Sequence, residues 1–147
     1  MVNKQPFVIK ELNSETEWRE AFPVMKQLRT HLDEVSYLEL VQEATQKEDY
    51  KLAGLFENGQ IVAVTGFMPM ITLYNGKSIW VCDLVTSSDV RSKGYGAALL
   101  VYVQRLAKEN GYENVSLSSG LQRIDAHRFY EHKMKYDKVS YCFLKRL

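Results

Sequence analysis

The chain is predicted to fold as a mixed α/β (α+β) protein built on a mostly antiparallel sheet. Three observations predict it. Strand-like runs at residues 50–56, 60–73 and 78–85 are separated by Asn58-Gly59 and Asn75-Gly76, which suit tight hairpin turns. A strand, a glycine-bearing turn and a helix follow one another across residues 80–103. Leu99, Leu100, Val103, Leu106 and Ala107 then form an apolar stripe at helical period. With 147 residues, 46% of them hydrophobic and 25% charged, the chain is expected to form a single domain over 1–147.

The elements come in a definite order. Phe7-Val8-Ile9-Lys10 reads as an opening strand, and Ser14 with Glu17 makes a capping box for a helix whose buried face is Trp18, Phe22, Met25, Leu28 and Leu32. Pro23 predicts a kink or a restart in it. Tyr37, Leu38, Leu40 and Val41 mark a second helix ending near Lys47. The two hairpins predict a three-stranded meander, with a bulge or unpaired stretch at Pro69. Asn110-Gly111 stops the striped helix, and Val115-Ser116-Leu117-Ser118 is a strand reached by that helical crossover, hence parallel to the one before it. A helix over 125–131 and a final strand over 139–144 complete the expectation.

Nineteen basic against eighteen acidic side chains give a net charge of +1, which argues against a nucleic-acid partner or an anionic membrane surface. The apolar runs fall short of the roughly 20 residues needed to span a bilayer, and residues 1–6 have no apolar signal core, so a cytoplasmic protein is expected. Cys82 and Cys142 both fall in strand-like runs and read as packed, reduced thiols. His31 and His132 have no partners at ligand spacing, so no metal is expected.

The most informative stretch is Arg91-Ser92-Lys93-Gly94-Tyr95-Gly96-Ala97. A turn between a strand and a helix aims free backbone N–H groups and the positive helix end at one point, which favours a phosphate or pyrophosphate. The dinucleotide pattern lacks its third glycine here, and the nucleotide-triphosphate loop is absent. What remains is Arg91-x-x-Gly94-x-Gly96-Ala97 behind Asp83-Leu84-Val85-Thr86.

In these two segments the chain resembles the GNAT superfamily of acetyl-coenzyme-A-dependent N-acetyltransferases. A second segment, Arg123-Ile124-Asp125-Ala126-His127-Arg128-Phe129-Tyr130, is similar to the superfamily's Asn/Arg-x-x-Ala-x-x-Leu/Phe-Tyr, and its surroundings also look like small-amine and aminoalkylphosphonate acetyltransferases. The resemblance covers nearly the whole chain. It departs at 131–136, which hold no glycine where the family usually has Gly-Phe. It implies a sheet of about six to seven strands with helices on both faces and a V-shaped splay between strands 4 and 5.

The resemblance further implies that acetyl-CoA is the co-substrate. The backbone of Leu84, Val85 and Thr86 would pair with the pantetheine arm, and the N–H groups of Ser92, Lys93, Gly94, Tyr95, Gly96 and Ala97 would hold the pyrophosphate, with charge from Arg91 and Lys93. Arg123 stands where the family often has an asparagine that touches the cofactor. An amine of pKa near roughly 10 must lose a proton before it attacks a thioester. Asp83 is the candidate base, or else a structural aspartate, and Tyr130 matches the family tyrosine that protonates the leaving thiolate. Arg29, Glu34 and Tyr37 are candidate acceptor-binding residues. The expected function is acetyl transfer to a small-molecule primary amine in a ternary complex. The alternatives are a protein N-terminal or lysine acetyltransferase and a non-catalytic acyl-CoA-binding module. A homodimer is expected by family analogy.

Overall fold

Strand β1 (Phe7–Leu12) opens the described chain, which is residues 7–147 of a computed structural model. Ser14 caps α1 (Glu15–Leu28) by accepting from the Glu17 amide, and Asp33 with Ser36 forms a capping box at the start of α2 (Glu34–Glu48). α1 runs through Pro23 as one continuous helix, so the expected restart is absent.

The meander forms as expected. β2 (Lys51–Glu57) and β3 (Gln60–Thr72) join through Asn58 and Gly59, both at positive φ, which is the geometry of a two-residue hairpin turn. The second hairpin differs from expectation, because β4 (Gly76–Thr86) begins at a glycine with φ of 72° after a three-residue loop, and Thr72 pairs with Gly76. The register break between β3 and β4 also lies elsewhere than Pro69. It falls between Gly66 and Phe67, where Gly66 faces Asp83 and Phe67 faces Val81, leaving Cys82 as the extra residue of a bulge. Pro69 remains in register with Ile79. Its missing N–H costs little because the β2 pairing ends at Phe67, so that side of β3 is an edge.

Alternation along these strands sends side chains to two faces. Leu52, Val64 and Val85 pack with Ala21, Val24, Met25, Tyr37 and Val41 of α1 and α2, whereas Leu55 and Ala63 pack with Tyr95 and Leu99 of α3 (Tyr95–Glu109). Helices therefore cover both faces of the sheet. α3 crosses to β5 (Asn114–Leu117), which neighbours β4 and completes the order β1-β2-β3-β4-β5. Five strands stand among the described residues where six to seven were expected.

The chain divides into two compact units, the first ending at Ser116 and the second Leu117–Leu147. Within the second, α4 (Ile124–Arg128) runs into a wider turn over Phe129–Lys133, in which the Met134 amide donates to the Phe129 carbonyl at 2.9 Å. Lys135 then takes a left-handed φ of 62°, a conformation glycine would adopt more readily, at the place where the family glycine is missing. The predicted strand over 139–144 is not formed among the described residues. Its side chains are exposed, and Cys142 is accordingly an exposed thiol rather than a packed one.

Candidate functional site

The β3–β4 bulge is where the site begins. Asp83 follows the bulged Cys82, and its carboxylate is held from two elements: Arg29 Nε, at the end of α1, donates to Oδ1 at 2.9 Å, and Tyr50 Oη donates to Oδ2 at 2.6 Å. Arg29 also donates through Nη2 to the Cys82 carbonyl at 2.7 Å, and Thr65 donates to the Asp83 carbonyl at 2.8 Å. Gly66 makes this possible, since a Cβ there would overlap the Tyr50 hydroxyl and crowd Asp83 Oδ2. Burial first, and then the Asp83 charge, push the Tyr50 phenol well above its ordinary pKa, so it stays a donor. Burial likewise pushes the Cys82 thiol up to about 12 and keeps it protonated.

Magnitudes separate this ion pair from the others. The Asp83 side chain is 13% exposed, so its charged hydrogen bonds are of the class worth about 1.5–3 kcal/mol each. Arg19 and Glu34 pair at 2.8 Å but are about half exposed, a setting worth roughly 0–1 kcal/mol. Glu34 is thus engaged on the surface. Tyr37 is buried and donates its hydroxyl to the Trp18 carbonyl at 2.7 Å, a packing role. Of the three residues expected at the acceptor, Arg29 alone meets Asp83.

Past the bulge, the second edge of β4 carries no strand among the described residues. β5 lies against its beginning, where the Glu113 amide donates to the Lys77 carbonyl at 2.7 Å, Asn114 Nδ2 donates to the Asn75 carbonyl at 2.9 Å, and Ser78 and Ser116 hydroxyls meet at 3.4 Å. Leu84 lies six residues beyond Ser78, about 20 Å along a strand, while β5 is four residues long. β5 therefore cannot pair with Leu84, Val85 and Thr86, which pair with Thr65, Val64 and Ala63 on their other side. An extended chain could add there as a strand does.

The loop after β4 is fastened at both ends. Gln27 of α1 accepts from the Ser88 amide at 2.9 Å and reaches Ser87 Oγ at 3.3 Å. Glu57, at the end of β2, accepts from Lys93 Nζ at 3.1 Å and from the Tyr95 hydroxyl. The Lys93 charge and the Tyr95 hydroxyl are consequently tied to Glu57. Arg91 and Ser92 are exposed, Ser92 with φ of 71°. Gly94, at φ of 79°, begins α3 without a side-chain cap, and the first helical bond is Ala98 N to Gly94 O at 3.0 Å. The N–H groups of Tyr95, Gly96 and Ala97 precede that bond, so they are free to meet an anion. Uncapped donors at the end of an open strand edge fit an acyl-pantetheine carrying a pyrophosphate.

In the second unit, Tyr130 is buried and packs edge-on against Phe129 at 5.3 Å. Burial raises its phenol pKa, and the Arg123 guanidinium, which bonds the hydroxyl, partly offsets that rise. Arg123, expected at the cofactor, is thus placed beside Tyr130. Sequence reasoning missed Tyr50, Gly66, Glu57 and Gln27. A glycine inside a strand pattern was the available signal for the bulge; the other three carry none.

The Acetyltransferase (GNAT) family profile matches residues 13–136. The uncharacterized N-acetyltransferase YhdJ of Bacillus subtilis is 47% identical over 137 residues, covering 93% of this chain and 96% of that protein. The aminoalkylphosphonate N-acetyltransferase of Salmonella typhimurium is 30% identical over 99 residues, 67% of this chain and 62% of that one. Among solved structures, an aminoglycoside N-acetyltransferase in complex with CoA superposes with a TM-score of 0.85 at 13% identity, over 100% of this chain and 98% of that one, which speaks for the fold.

Two outcomes test the geometry. Gly66→Ala forces Tyr50 from Asp83 and is expected to destabilise the protein by about 1–3 kcal/mol in urea unfolding; an unchanged midpoint would contradict the close approach. The Tyr95 hydrogen bond, and then Lys93, hold the Glu57 carboxyl below its ordinary 4.5. A depressed folded-state pKa contributes stability that is complete above the unfolded value and lost as pH falls through the folded one. The urea midpoint of the wild type should therefore fall towards that of Glu57→Gln below about pH 4.5, whereas a constant gap would disprove the contribution. The matched profile and the relative covering 93% of the chain place this protein in the GNAT family of acetyl-CoA-dependent N-acetyltransferases.

Proposed function

We propose that this protein acetylates the primary amine of a small molecule by direct attack in a ternary complex, as one GNAT domain over 1–147. The family match across 13–136 spans both compact units and supports treating them as one catalytic domain. The observation that carries the reading is the pinned loop, with its uncapped N–H groups of Tyr95, Gly96 and Ala97 coming directly after the open edge at Leu84–Thr86. On this reading Leu84, Val85 and Thr86 bond the pantetheine arm, and the amides from Ser92 to Ala97 with the Arg91 side chain hold the pyrophosphate. Acetyl-CoA supplies the thioester whose carbonyl carbon the amine attacks.

The chain's own groups then move two protons and hold one charge. A backbone N–H near Val85 stabilises the negative charge that develops on the carbonyl oxygen. Asp83 accepts one hydrogen bond on each oxygen, from Arg29 and from Tyr50, and takes the amine proton on a remaining lone pair, directly or through a water. Tyr130 gives its proton to the departing thiolate, and Arg123 at its hydroxyl holds the ring for that transfer. Arg29 is the acceptor-side residue of this scheme. A small amine is favoured by the 30% identity to the aminoalkylphosphonate enzyme. The two unpaired cysteines suit a reducing cytoplasm, and we take the active form to be a homodimer.

Release of CoA thiol, monitored with small amines and with peptides, tests the reading. Turnover with small amines alone is expected. Turnover with peptides alone would transfer the reading to a protein acetyltransferase, and acetyl-CoA binding without turnover would make the chain a binding module. Tyr130→Phe should lower kcat by about 10²- to 10⁴-fold while leaving KM for acetyl-CoA unchanged. An unaltered kcat would remove Tyr130 from the chemistry.

A further inference from the structure

We propose that Glu57 is a positioning residue for the co-substrate: its carboxylate holds the pyrophosphate loop through the Tyr95 hydroxyl, and the Lys93 ammonium cancels its charge instead of binding phosphate. The inference rests on the acetyl-CoA reading above and gives a role to a carboxylate that the reaction scheme leaves unused.

A carboxylate is an unexpected neighbour for an anion site. Glu57 is the last residue of β2, and its side chain, 9% exposed, accepts on one oxygen, Oε2, from both Lys93 Nζ at 3.1 Å and the Tyr95 hydroxyl. Both donors belong to the stretch whose amides receive the pyrophosphate. Like charges repel, so an unbalanced Glu57 would oppose the co-substrate. The carboxylate is there for its geometry, and the ammonium for its charge.

The geometry is that of a fixed platform. The backbone of Glu57 sits opposite Phe7 of β1 and Gln60 of β3, so the sheet holds it from both sides. The loop has little stiffness of its own. Ser92 and Gly94 lie at positive φ, Gly96 follows, and no side chain caps α3. Tyr95 anchors it: the residue is 4% exposed, its ring meets Phe7 edge-on at 5.5 Å, and it shares an apolar cluster with Leu55 and Leu99 against which Leu84 and Val90 also pack. The bond to Glu57 fixes the other end of that ring. Because the Tyr95 amide is the first of the free helix donors, holding the side chain at ring and hydroxyl holds the donor too.

Lys93 completes the arrangement. Were its ammonium to move to a phosphate, Glu57 would be left as a nearly buried charge without a counter-ion, which is unfavourable. The ion pair therefore stays closed when the co-substrate binds.

The Kd for CoA of the full chain, measured by calorimetry at neutral pH, separates the two roles. Glu57→Gln removes the charge and keeps an acceptor for Tyr95, whereas Glu57→Ala removes both. Glu57→Ala is expected to weaken binding by about 10-fold, and Glu57→Gln to stay within about threefold of the wild type. Lys93→Met leaves the carboxylate unbalanced and is expected to weaken binding by about 10-fold, while adding Glu57→Gln to it should return Kd to within about threefold of the wild type. Tyr95→Phe removes the same hydrogen bond and should weaken binding in the same direction, which keeps the test open if Glu57→Ala fails to fold. A purely structural role would lower the urea midpoint and leave the Kd of folded protein unmoved. Unchanged or tighter binding by folded Glu57→Ala or by Tyr95→Phe, or Glu57→Gln as weak as Glu57→Ala, overturns the positioning role. Lys93→Met with wild-type affinity, or no recovery in the double variant, overturns the balancing role. A wild type that binds no CoA overturns the acetyl-CoA reading and this inference with it, whereas a wild type that binds alongside variants indistinguishable from it overturns this inference alone.

Discussion

The Asp83 carboxylate, held by Arg29 on one oxygen and by Tyr50 on the other, is the constraint on which the site depends. It stands at the one place where β3 and β4 lose register, and the carbonyls of the bulged Cys82 and of Asp83 are taken by Arg29 and Thr65. A bulge raises local twist and leaves a residue without its ladder partner, so it persists only where other groups take up the freed bonds. Here Arg29 at a helix end and the buried Thr65 do so, while Tyr50, just before β2, bonds the Asp83 carboxylate. The strand that leaves this anchor, from Leu84 to Thr86, is the one whose far edge β5 does not reach.

The turn between β4 and α3 is likewise held by side chains from distant elements. Gln27 secures its beginning and Glu57 its end, so a segment rich in small residues is fixed without a capping side chain occupying the helix N-terminus. Lys93 looks in sequence like a phosphate-binding charge, yet it pairs with Glu57, whereas Arg91 stands exposed in the same loop. Preorganised donors that need not rearrange bind an anion at lower entropic cost than mobile side chains would.

Much of this was legible in the sequence, and for identifiable reasons. Asn58-Gly59, the Ser14 cap and the apolar stripe through Leu99 and Val103 are local signals, since turn chemistry, capping and periodicity act within a few residues. The glycine turn and the Tyr130 segment were legible as a family pattern. The contacts that hold the site were not, because Arg29–Asp83, Tyr50–Asp83 and Glu57–Tyr95 join residues 54, 33 and 38 positions apart. Pro69 misled because its edge position results from where β2 stops, and β2 stops for reasons of pairing that no residue near Pro69 records. Residues 139–144 carry a clear strand pattern but no record of what they pair with, and in the described chain they stand outside the sheet.

The central claim is that backbone amides at the end of β4 and the start of α3 receive the co-substrate. Backbone amide NMR with CoA titrated into the protein addresses those groups one by one. The account predicts that the amides of Tyr95, Gly96 and Ala97 and those along Leu84–Thr86 shift and become slow to exchange, while the Ala63–Thr65 amides, on the strand already paired with β4, change far less. Saturable binding that leaves the Tyr95–Ala97 amides unmoved would contradict it.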